Sequence, residues 1–101
     1  MILYRAMCPE EADKTLESKR LQFKNKNKWF SFHLNDFIRS RVQDGKFNNS
    51  NFEKDRYVRV LEFEFNDSSL EYFSNVGYKE LMLNVRKVPL VKLISVLEII
   101  K

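Results

Sequence analysis

Residues 56–66 alternate between two kinds of side chain, with Tyr57, Leu61, Phe63 and Phe65 on one side and Val58, Val60, Glu62 and Glu64 on the other. A period of two is that of a β-strand, and four large apolar groups in register demand a buried face. The chain must therefore build a sheet with at least one covered side. Residues 79–85 repeat the pattern, with Leu81, Leu83 and Val85 opposite Glu80, Met82 and Asn84. Residues 91–100 are apolar on both sides, as a central or covered strand is. Two shorter segments, residues 2–6 and the aromatic 29–32, are strand candidates as well.

Helices come early. Pro9 suits a first helical turn, where its missing N–H is no loss, and Glu10, Glu11 and Asp13 face the positive end of the helix dipole. Ala12 and Leu16 form a thin apolar stripe, so a helix is expected over 9–19. Leu34, Phe37, Ile38 and Val42 share one helical face, and Gly45 is placed to stop a second helix over 35–44. Residues 47–53 read as a loop, and residues 70–76 as a short helical turn around Leu70 and Phe73. Early helices and late strands predict a single small α+β domain, residues 1–101, with a mixed or mostly antiparallel sheet.

Two glycines and two prolines exclude collagen-like, linker-like and turn-dense sandwich folds, and 44% hydrophobic residues suffice for a core. A lone cysteine, Cys8, makes no internal disulfide, which suits a reducing compartment. No apolar stretch reaches the roughly 20 residues that span a bilayer, and Arg5 interrupts the opening segment. A soluble, cytoplasmic protein without membrane contact is expected.

The net charge of +4 is uneven: residues 1–60 carry 13 Lys/Arg against 8 Asp/Glu, and residues 61–101 carry 5 against 6. Lys19, Arg20, Lys24, Lys26 and Lys28 fall in one window without an acid. Such a cluster attracts anions, nucleic acid among them, or serves as a solvated loop. No helix-turn-helix, zinc-finger or RNP-type signature accompanies it.

Most familiar catalytic arrangements are missing. With one histidine, His33, and one cysteine, no metal site is expected. Gly45 and Gly77 stand alone, so there is no phosphate loop and no nucleophile elbow. Cys8 is expected to be a partly buried residue at a strand end, and His33 a capping or surface residue. Glu62 and Glu64 share a strand face, a pattern that glycoside hydrolysis uses but that solvated sheet faces show far more often.

Three residues remain: Arg5 in Leu3-Tyr4-Arg5-Ala6, Ser31 in Trp29-Phe30-Ser31-Phe32, and Glu80 opening Glu80-Leu81-Met82-Leu83. An arginine on a first strand, a serine on the next and a glutamate starting a later one resembles the Arg-Ser-Glu class of mono-ADP-ribosyltransferases. The resemblance spans nearly the whole chain. It implies an ADP-ribosyltransferase-like fold, NAD as co-substrate and transfer to a macromolecular target. Glu80 would be the catalytic group, holding the ribose 2′-hydroxyl and favouring a cationic transition state. Arg5 would bind phosphate or ribose through its fork of donors, and Ser31 would hold the glutamate. Trp29 and Tyr78 would stack on nicotinamide or the target. Arginine-directed members carry an acid two positions before the glutamate; Tyr78 stands there, so arginine modification is not expected.

The alternative is a non-catalytic binding protein, such as an immunity protein or antitoxin that neutralises a partner toxin. Trp29, Phe30, Tyr72 and Tyr78 would supply its anchors, because interface hot spots favour large aromatics. The basic net charge is a feature against inhibition of a basic nuclease, whose inhibitors present acidic faces.

Overall fold

The computed structural model describes residues 1–22, 27–34, 59–77 and 80–100. In chain order these form β1 (Ile2–Met7), α1 (Pro9–Ser18), β2 (Lys28–Ser31), β3 (Arg59–Phe65), a 3-10 segment (Asp67–Tyr72), β4 (Phe73–Gly77), β5 (Glu80–Leu83), a second 3-10 segment (Val85–Leu90) and β6 (Leu93–Ile100). The fold is α+β. Among the described residues six strands form one sheet in the order β4-β5-β2-β1-β3-β6, and their five pairings are antiparallel. The expected helix over 35–44 and loop over 47–53 lie outside the described residues, as do 56–58 of the long strand.

The alternation in β3 is resolved by burial. Leu61, Phe63 and Phe65 are fully buried, while Glu62 and Glu64 stay half-buried on the other side. Phe30 from β2 stands at the centre of that covered side. Its ring makes edge contacts with Phe63, Phe65 and Phe73 at centroid distances of 5.5, 5.7 and 5.5 Å. Edge-to-face geometry sets the positive rim of one ring against the negative face of the next. Phe73 belongs to the first strand of the sheet and Phe65 to the fifth, yet their rings lie 5.3 Å apart. The sheet therefore curls round this aromatic cluster.

The two 3-10 segments repeat one device. Each follows a strand and begins after an asparagine, Asn66 or Asn84, whose side-chain oxygen accepts the backbone N–H two residues on, from Ser68 and Arg86 respectively. That local bond starts a tight turn without a glycine. The expected helical turn at 70–76 is thus displaced: the turn occupies Asp67–Tyr72, and Phe73–Gly77 is a strand. Cross-strand pairing with β5 overrides the local pattern there. Pro89 sits inside the second 3-10 segment.

Helix α1 forms as expected, but it buries little hydrocarbon: Ala12 is fully covered, Leu16 only partly. Ion pairs on both sides fix it instead. Glu11 accepts from Arg5 Nε at 3.0 Å and Nη2 at 3.1 Å, and Lys28 Nζ lies 3.4 Å away. On the other side Asp13 pairs with Arg59, which also forks onto Glu98 at 2.6 and 2.7 Å. The helix closes at Lys19, which takes the left-handed conformation (φ 58°) and donates its N–H to the Thr15 carbonyl. Cys8 precedes the helix half-buried, as expected of a cysteine at a strand end. Among the described residues no helix is long and apolar enough to cross a membrane.

Candidate functional site

Successive side chains of a strand point to opposite faces, so register decides which residues can meet. Tyr4 of β1 lies opposite Ser31 of β2, and Ser31 lies opposite Glu80 of β5. Ser31 and Glu80 are therefore cross-strand neighbours, about 5 Å apart at their Cβ atoms. Arg5 is one residue out of step with Tyr4 and points to the covered side, with Leu3 and Met7. Sequence order suggested that Arg5, Ser31 and Glu80 share one cleft; the fold brings two of them together and leaves the third on the opposite face of the sheet.

Arg5 is moreover fully engaged where it lies. Besides its two bonds to Glu11, its Nη1 donates to the Trp29 carbonyl at 3.3 Å, and the guanidinium carbon sits 5.9 Å from the Phe30 ring centre. A phosphate would have to displace the carboxylate that holds it. Burial pushes the Glu11 carboxyl up, but the Arg5 charge and hydrogen bonds, with Lys28 behind them, outweigh this and leave it below its ordinary value. The Glu11 carboxylate is the residue that sequence reading missed. A signal was present: Lys28 alternates with Phe30 on the aromatic strand, so a charge had to enter the core beside it.

Lys28 changes the reading of the basic window too. It is 3% exposed and directed at Glu11, so it is part of the interior. Lys19 and Arg20 are exposed, whereas Lys24 and Lys26 lie outside the described residues. Phe30, proposed as a surface anchor, is buried in the core, and Tyr72 is half-buried. Tyr78 lies outside the described residues. Cys8 and His33 end antiparallel neighbours and so stand at opposite ends of the sheet.

The outer face carries the exposed groups. Trp29 lies opposite Met82 and is 52% exposed. Ile2 and Leu97 are exposed on the same face, and Val60 anchors a small apolar cluster with Tyr4, Ala6, Leu34 and Ile99. Glu62, Glu64 and Glu80 occupy outward positions between them. No described strand directs a lysine or arginine outward on this side. Among the described residues this face therefore carries carboxylates and apolar groups, in a chain whose net charge is positive.

A shallow recess at one end is lined by Met1, Glu64, Phe65, Asn66, Asp67 and Ile94. Two carboxylates give it the wrong sign for a pyrophosphate. Among the described residues, no group of three histidine, cysteine or carboxylate side chains is placed to hold a metal. No protein-family model matches this chain, and neither a curated protein nor a solved structure is similar to it.

Proposed function

We propose that this chain is a non-catalytic binding protein, of the kind that neutralises a partner such as a toxin, and that it engages a protein with a basic surface through the outer sheet face. One observation carries the reading: Trp29 stands half out of its strand on a face where the described strands direct Glu62 and Glu64, and no lysine or arginine, outward. A tryptophan on a sheet presents a large contact at low entropic cost, and an acidic surround steers a cationic partner. The overall basic charge is no objection to this, because among the described strand residues Arg5, Lys28 and Arg59 point to the covered side, where carboxylates pair with them.

The NAD-dependent ADP-ribosyltransferase reading, with its ADP-ribosyltransferase-like fold, asks for Arg5, Ser31 and Glu80 around one dinucleotide. Ser31 beside Glu80 favours it, and the Arg5–Glu11 pair on the far side disfavours it. The two readings separate in one set of measurements. Binding reading: a partner recovered from the source cell is lost with Trp29→Ala and Glu62→Lys, kept with Lys19→Glu, and weakened by salt. Calorimetry with NAD then stays silent. Saturable NAD heat that vanishes in Glu80→Gln would overturn the proposal in favour of the enzyme.

A further inference from the structure

The two edges of the sheet are unlike. The β4 edge is protected by its shortness, five residues, and by Ser74 and Asn75 at its centre. The β6 edge is eight residues long, contains no proline or lysine, and carries Ile94 at 60% and Leu97 at 48% exposure. Among the described residues no strand lies beyond it. Its sequence is that of an interior strand, apolar on both faces, yet among the described residues it stands at the rim.

We propose that two copies of this chain pair through β6 across a two-fold axis normal to the sheet, joining two six-stranded sheets into one. This inference concerns the edge and is independent of what the outer face binds. The occupant is specified by the register. Residues Ser95, Val96, Leu97 and Glu98 run in uninterrupted register with β3, between irregularities on either side, and so offer a regular template. Antiparallel strands in one sheet place opposed residues on the same face, so the two-fold must fall on a residue.

Centred on Glu98, the pairing would set two carboxylates directly opposite, which is unfavourable. Centred on Leu97, it places the two Leu97 side chains against each other on the outer face and Val96 of each copy opposite Glu98 of the other. Each Glu98 keeps its fork with Arg59 of its own chain. The exposed leucine is thereby covered by its own symmetry mate, and no like charges face one another. A second copy meets this register by symmetry, with each exposed Leu97 set against its own mate.

The purified chain is the test, with no other protein present. Analytical ultracentrifugation is expected to give twice the 12.2 kDa chain mass, with dissociation on dilution. Leu97→Lys sets two ammonium groups at the axis and is expected to give the monomer mass with an unchanged circular dichroism spectrum. In a Cys8→Ser background, oxidised Leu97→Cys is expected to form a disulfide-linked dimer, because residues opposed at a two-fold have Cβ atoms within bridging reach. Ser95→Cys, opposed by another residue, is not. A wild-type chain that stays monomeric up to about 1 mM, the range of weak complexes, overturns the proposal. Equal crosslinking from positions 95 and 97 overturns it also, by excluding the Leu97-centred register.

Discussion

Glu11→Gln removes one negative charge and almost no volume, and it is the sharpest probe of how this fold is held. The Glu11 side chain is 11% exposed, and its oxygens meet Arg5, 12% exposed, and Lys28, 3% exposed. A glutamine keeps one acceptor but leaves two interior cations facing a neutral amide. Breaking a buried ion pair by removing one partner costs about 3–5 kcal/mol. For a chain of this length, 1 kcal/mol moves the melting temperature by about 4–8 °C, so a fall of roughly 12–40 °C is expected. That approaches the whole stability of a small domain, about 5–15 kcal/mol.

The assay is urea unfolding followed by circular dichroism, with Glu17→Gln, on the exposed side of α1, as the control that stays within about 0.5 kcal/mol. Acid provides a second reading of the same group. The folded carboxyl titrates below its ordinary value of 4.5, so its stabilisation is fully present above that value. It is lost as the pH falls through the folded value. The gap between wild type and Glu11→Gln should therefore be constant near neutrality and shrink only in that acid range. The triple change Arg5→Met, Glu11→Leu, Lys28→Met should recover much of the loss, since a buried ionic cluster replaced by apolar groups is often neutral. A Glu11→Gln chain within about 1 kcal/mol of wild type at neutral pH would refute the reasoning. The helix would then be held by its hydrocarbon after all.

Three further outcomes are expected. Phe30→Ala empties the centre of the aromatic cluster and should lower stability by about 3–5 kcal/mol in chemical unfolding, more than any other single truncation on β2. Lys19→Gly relieves the left-handed residue that closes α1 and should raise stability by about 0.5–1 kcal/mol, seen as a higher melting temperature. Trp29→Ala should leave stability within about 0.5 kcal/mol of wild type while weakening partner binding at least 30-fold, the loss of one hot spot of about 2 kcal/mol.

The periodicities carried most of the local structure. Alternation located β3 and β5, and the proline with its following acids located α1; each is a short-range matter of which side chains share a face. The strand at Phe73–Gly77 was hidden because its stability comes from β5 rather than from its own residues. The apolar run of β6 marked a central or covered strand, and among the described residues the sheet order puts it at one end; hydrophobicity says how much surface must be covered and not by what. For the site, residue types pointed to Arg5, Ser31 and Glu80, and residue type cannot fix a face. The β1–β2 register pairs Ser31 with Tyr4 and not with Arg5. That offset of one residue turns a guanidinium inward, where only a carboxylate from the helix could make it tolerable, and leaves Trp29 and the glutamates looking outward. Sequence alone settled that the described residues are a helix and a set of strands around a phenylalanine-rich core. Long-range pairing decided what each face presents, because a one-residue step in register inverts every side chain on a strand.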